Sequence, residues 1–231
     1  MMSLLQTTFD WFDGLALVLL LLVWAGSGWI IEHPPARHAS VTVLMKRYRH
    51  DWMHEMLTRQ PRIFDAAILD SLRQGTTFMT SASMIAVGGV LALAGNAERL
   101  DSIVMGVGIA GQSAVFWQAK LGIVALLLTH AVFKFVWSNR LFGYCAIVMA
   151  SVPNDPDNPA SRPRAARAAE LNIRAALNFN RGLRSVYFAF AALGWILGPW
   201  GLIIATLVAL QAILSREFAS TSRGVLIDEK T

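Results

Sequence analysis

From Ser185 to Ser215 the chain runs 31 residues without a charged side chain. A helix rises 1.5 Å per residue, so about 20 apolar residues are enough to cross the ~30 Å hydrocarbon core of a bilayer. Inside that core every backbone N–H and C=O must be satisfied within the protein, which restricts such a run to helix. Two further uncharged runs qualify, Gly14 to Ile31 with 18 residues and Gln74 to Ala97 with 24. A fourth apolar stretch, Val115 to Trp137, is interrupted by Lys120, His130 and Lys134. Charged residues make up only 15% of the chain, against about 25% in soluble domains. The uncharged runs account for the deficit. A cleaved leader would need Lys or Arg ahead of its apolar core. Residues 1–13 hold only Asp10 and Asp13, so the first run is expected to be a span.

The segments between these runs differ in character. His33-Pro34-Pro35 ends the first helix, since prolines cannot continue it. Val41, Leu44, Tyr48, Trp52 and Met56 then recur at helical spacing, with Lys46, Arg47, Arg49 and His50 on the remaining surface. This predicts a basic amphipathic helix over Ser40 to Arg59, suited to a membrane surface. The second spanning helix is expected to start early, near Ile63, and the third to continue through Leu141 to Ala150. Val152 to Pro163 holds four prolines in twelve residues and reads as a linker. Arg167, Arg174 and Arg181 lie seven apart on one face of a second basic helix, opposite Ala169, Ile173, Ala176 and Leu177. Residues 98–114 read as an outer connection at the interface, with a re-entrant segment as the alternative. Gly106-x-Gly108-x-x-Gly111 matches a dinucleotide fingerprint in letters only. The strand, helix and acidic residue that the fingerprint requires do not accompany it.

Orientation follows the Lys/Arg bias of the connections. Residues 32–73 carry Arg37, Lys46, Arg47, Arg49, Arg59, Arg62 and Arg73, and residues 138–184 carry another seven arginines. The outer connection offers only Arg99 and Lys120. Both basic segments are therefore expected in the cytoplasm and both termini outside. The two halves then share a plan, with Leu72-Arg73 and Leu183-Arg184 at matching positions, which an old parallel duplication would explain. The net charge of +5 is assigned to contact with anionic lipid head groups rather than nucleic acid, because the basic residues flank the apolar runs. One cysteine, Cys145, rules out an intrachain disulfide.

Few residues carry obvious chemistry. His130 and Lys134 share a face of the third span, and ionisable groups at membrane depth are functional candidates. Their structural alternatives are a hydrogen bond from His130 to Thr77 or Ser81 and snorkelling of Lys134 to the interface. His50 and His54, one turn apart, could hold a divalent metal, but the sequence supplies no third ligand, so no metal or cofactor is expected. Arg73, Arg174, Arg181 and Arg184 are expected at the cytoplasmic mouth as ligands for lipid head groups or an anion. Gly88, among Ala82, Ala86 and Ala92, and the Gly194/Gly198 pair are expected to pack helices closely. Pro199 is expected to kink the fourth span. No nucleophile elbow, phosphate loop or catalytic triad pattern is present, and no enzymatic activity is expected.

Asp51-Trp52-Met53, Arg62-Ile63-Phe64-Asp65, Phe78 with Thr80-Ser81-Ala82, and the run Asn178-Phe179-Asn180-Arg181-Gly182-Leu183-Arg184-Ser185 with Tyr187-Phe188 resemble the domain-of-unknown-function family 599 of small multi-span membrane proteins. The resemblance covers about residues 10–220. It implies a membrane protein, in the inner membrane if the source is Gram-negative, and brings no catalytic residue. The expected architecture is an all-α integral membrane bundle of four transmembrane helices at about 12–31, 74–96, 115–137 and 185–214, with cytoplasmic helical extensions at 32–73 and 138–184 and amphipathic interfacial helices. The expected role is a non-enzymatic accessory or scaffold subunit that packs with a larger membrane complex or with itself. The alternative is a small transporter or channel, with an anion as its cargo.

Overall fold

We describe the chain from a computed structural model, which covers residues 10–99 and 113–227. The connection expected at 98–114 and the Gly106/Gly108/Gly111 run lie almost wholly outside the described residues. Among the described residues, seven α-helices follow in order: α1 (Trp11–Glu32), α2 (Val41–Glu55), α3 (Ile63–Gly95), α4 (Ala114–Ala150), α5 (Ser161–Leu193), α6 (Pro199–Phe218) and α7 (Thr221–Ile227). Short 3-10 turns occupy Ala36–His38 and Gly194–Leu197. The fold is all-α, and no strand occurs among the described residues. Four helical stretches are long and apolar enough to cross a membrane: α1, α3, α4 and the one that begins at Pro199. The early start of α3 at Ile63 and the run of α4 to Ala150 follow the sequence expectation.

The fourth span does not. One uninterrupted helix over 185–214 is replaced by the end of α5, a 3-10 turn, Gly198 and then α6. Gly198 has φ +92°, a region that only glycine enters without strain. Pro199 is the first residue of α6, where its missing N–H costs nothing and its fixed φ suits a helix start. It therefore begins a new helix rather than kinking an old one. The second basic helix and the first half of the expected fourth span are in turn one continuous helix, α5. Gly194 and Gly198 do not form a pair on one helix. Gly194 instead faces Gly201 and Ala205 of α6: a Cβ on Gly194 would stand 2.7 Å from the Gly201 carbonyl oxygen and 2.8 Å from the Ala205 Cβ. α5 and α6 thus form a tight hairpin, with glycines where the backbones approach.

The chain divides into two compact units. The first takes residues up to Ile30, Ala82–Ala131 and Leu183–Ser215. Its core includes Ala16 and Leu20 of α1, Leu121, Val124 and Leu128 of α4, and Phe188 of α5. Leu202, Thr206, Ala209 and Ile213 of α6 are buried as well, at spacings of four, three and four that make one stripe.

The second unit takes Ile31–Ser81, Val132–Gly182 and the chain from Arg216. Its centre is an antiparallel seam between α4 and α5. Phe135 meets Phe179 with ring centroids 5.4 Å apart. Ser138 Oγ donates to the Ala175 carbonyl at 2.7 Å, and Cys145 Sγ to the Ala168 carbonyl at 3.3 Å. Ala165, Ala168, Ala169 and Ala175 are all buried, and their small size brings α5 onto α4. Met53, Met56 and Leu57 from the end of α2 and Leu69 of α3 complete this core.

α2 is held at its start. Ser40 caps it by accepting from the Val43 N–H at 3.2 Å, while its Oγ donates to the Ile31 carbonyl at 2.7 Å. Glu217 of α6 accepts from the Thr42 N–H at 2.9 Å and the Thr42 hydroxyl at 2.8 Å. A carboxylate at this end of α2 also complements the helix dipole.

Candidate functional site

The first unit contains a buried cationic centre. Lys120 is only 3% exposed, although it lies on an apolar helix. Its Nζ donates to the Trp195 carbonyl at 2.7 Å. It also stands 4.0 Å from the Phe116 ring centroid, 5.5 Å from that of Trp117 and 5.4 Å from that of Trp195. Aromatic faces attract a cation, most strongly where water is excluded. Asp13, in the first turn of α1, accepts from Trp195 Nε1 at 2.5 Å. Asp13 and Trp195 are buried too. Trp195 thus links the two charges, through its indole to Asp13 and through its carbonyl to Lys120. Sequence reading counts Lys120 with the outer connection and Asp13 ahead of the first uncharged run, both at the outer ends of the expected spans. Their role comes from the 3-10 turn after α5.

His130 lies deeper on α4 in the same unit. Its Nδ1 is 2.8 Å from Ser185 Oγ, which also accepts from Trp24 Nε1 at 3.1 Å. The Trp24 and His130 rings meet edge to face at 5.1 Å. The expected partners Thr77 and Ser81 are replaced by Ser185, because α5 rather than α3 supplies the neighbouring hydroxyl. Lys134, one turn along, is half-buried and belongs to the second unit.

The four arginines are likewise in separate settings. Arg174 pairs with Glu170 one turn back at 2.7 Å, at an exposed position where such pairs contribute little. Arg181 forms a two-pronged pair with Glu32 at the end of α1, its Nε 2.9 Å from Oε1. Glu32 thereby raises the Arg181 pKa and fixes its charge. Arg184 is buried, with its guanidinium against Gly28 of α1, where an added Cβ would lie 3.6 Å from Nη2. Arg73 lines a groove on the second unit. Arg73, Arg174 and Arg181 belong to the second unit and Arg184 to the first.

Arg49 is the arginine that sequence reading left on a surface. It is bonded to Asn172 Oδ1, and burial lowers its pKa. His50 and His54 are exposed on α2, and no three His, Cys, Asp or Glu side chains gather as a metal site among the described residues.

The run Asn178 to Ser185 carries several tertiary ties. Within the second unit, Asn180 Nδ2 donates to Thr42 Oγ1 at 3.2 Å, Arg181 holds Glu32 and Phe179 packs on Phe135. Gly182 is seated against Phe135: a Cβ there would stand 2.6 Å from Cε1 of that ring. Within the first unit, Arg184 reaches Gly28 and Ser185 joins Trp24 to His130. Its polar side chains tie α5 to α1, α2 and α4.

A fold with apolar helices of spanning length, joined through the Asn178–Ser185 run, defines a multi-pass membrane protein. The family described as "Protein of unknown function, DUF599" matches residues 15–222. The chain belongs to this family, as the resemblance of its motifs implies. No curated protein and no solved structure matches it.

Proposed function

We propose that the protein is a non-enzymatic membrane scaffold that holds a partner transmembrane helix against α3. The observation that carries this reading is the exposure of α3. Only 6% of its most apolar stretch is buried, against 22–44% in the other three candidate spans. Ser81, Ile85, Gly88, Ala92 and Gly95 are all exposed, and their spacings of four, three, four and three place them on one face. Cβ atoms added at Gly88 and Gly95 would meet nothing within 4 Å. Lipid chains are as apolar as leucine, so helices associate in bilayers through close backbone approach at small residues. The polar residues of the Asn178–Ser185 run are engaged in internal ties, which favours a structural role over a transport path. Cysteine scanning of α3 in native membranes tests the reading. Crosslinks to a second copy or another protein should peak at Ser81, Gly88 and Ala92 and vanish one residue away. Uniform reactivity would mean that α3 faces only lipid.

The proposal includes an orientation. The chain passes from one unit to the other after Ile30, Ser81, Ala131, Gly182 and Ser215. That is an odd number of passages, so residues 10–30 and residues 216–227 belong to different units. Both basic segments fall largely in the second unit, together with the C-terminal segment, where Arg223 Nε donates to the Ala39 carbonyl at 2.9 Å. The Lys/Arg bias then favours a cytoplasmic second unit, and with it a cytoplasmic C-terminal segment. This proposal differs at the C-terminus from the expectation that both termini lie outside. A C-terminal fluorescent-protein fusion should be bright and a C-terminal alkaline phosphatase fusion inactive. The reverse pattern would refute this orientation.

A further inference from the structure

The second unit has a groove of about 400 Å³ along the first turns of α3, a size within the ~300–1,000 Å³ usual for ligand sites. Arg62, Ala66, Leu69 and Arg73 line it from one helix face. The eleven helical steps from Arg62 to Arg73 correspond to roughly 16 Å of helix. Met56 and Met149 give it an apolar floor. One end, at Arg73, adjoins the uncharged run that begins at Gln74. At the other end, Arg62 donates through both Nη atoms to the Val152 and Pro153 carbonyls at 2.8 Å. Its Nε is buried without a hydrogen-bond partner among the described residues. An unmet buried donor on a cation is costly, and an anionic oxygen is its strongest partner. Asp70, the one acid in the lining, is engaged by Gln74 Nε2 at 2.7 Å.

The geometry points to a binding site for a single-chain anionic amphiphile, a long-chain carboxylate or phosphate drawn from the bilayer. The chain lies over Leu69, Met56 and Met149, the anionic head meets Arg62 Nε, and Arg73 stands at the entrance and attracts the head group. Membrane lipid is the source that this arrangement fits, because the open apolar end adjoins the span. A free inorganic anion would use the arginines and leave the methionine floor idle.

The test uses full-length protein in neutral phosphatidylcholine nanodiscs with a photoreactive diazirine palmitate. Label is expected on peptides containing Met56–Arg73 and Ala146–Asn154. Ala66→Trp fills the groove from an exposed position and should cut that labelling at least tenfold with no loss of thermal stability. Arg62→Lys keeps the charge but removes Nε, and should cut it severalfold. Millimolar inorganic phosphate should not compete. Labelling unchanged by Ala66→Trp would overturn the proposal. So would equal labelling by the uncharged diazirine hexadecanol, or displacement by phosphate alone, which would reveal a free-anion site.

Discussion

Lys120→Met should lower stability by about 3 kcal/mol, which for a chain of this length is a fall in Tm of roughly 6–12 °C. Lys120 is 3% exposed, and its ammonium is held by the Trp195 carbonyl and the Phe116 face. Methionine fills much of the same space but returns neither interaction. It also leaves Asp13 buried against the Trp195 indole without the cation nearby. Breaking a buried charge arrangement from one side costs more than removing it whole. Asp13→Asn combined with Lys120→Met should therefore recover more than half of the loss, a coupling that a double-mutant cycle in detergent would measure. A Lys120→Met protein with the parental Tm would show that the cage contributes nothing to holding α1, α4 and the 3-10 turn together.

Gly201→Ala should be at least as damaging, although it adds a single methyl group. The new Cβ would run into the Gly194 carbonyl oxygen and stand 2.9 Å from the Leu197 Cβ. The obstacle is backbone, which cannot swing aside, so the hairpin must open. Overpacking a tight site costs about 1–3 kcal/mol, and more where nothing can relax. We expect the upper end of that range or beyond. Gly194→Ala meets the same contact from the other side, so the double variant should cost much less than the sum of the two. Gly88→Ala is the control. Its Cβ meets nothing, and alanine is the better helix former by roughly 0.5–1 kcal/mol, so stability should hold or rise. Equal losses at Gly88 and Gly201 would show that helix propensity, not the hairpin, sets the effect.

The spans were legible because lipid imposes a simple condition: long runs without charge have few other uses. Gly14–Ile31 and Gln74–Ala97 became α1 and part of α3 for that reason. The same signal failed at 185–215, since absence of charge says nothing about direction. The Gly198-Pro199 step did carry a turn signal, a glycine free to take positive φ before a proline suited to a helix start. The length of the apolar run obscured it. Lys120 and Asp13 were read as charges at the outer ends of spans because each lies near the end of an apolar run. Their burial depends on where Trp195 is brought by the hairpin, which is tertiary information. The arginines show the same division. Their helical stripe was readable, but the partners that occupy them, Glu32 for Arg181 and Gly28 for Arg184, lie about 150 residues away and left no local trace. The run from Asn178 to Ser185 was visible as a signature. Its role as the tie between α5 and three other helices was not, because each residue answers to a different partner.

The central claim is that α3 serves as an assembly face. The most direct measurement is the mass and composition of the particle released from native membranes in mild detergent, for the parent and for Gly88→Leu. Leucine at this open position should leave the fold intact, as checked by an unchanged Tm. We expect a stoichiometric second copy or membrane partner with the parent and its loss with Gly88→Leu. A parent that emerges as a monomer, or an assembly that survives Gly88→Leu unchanged, would contradict it.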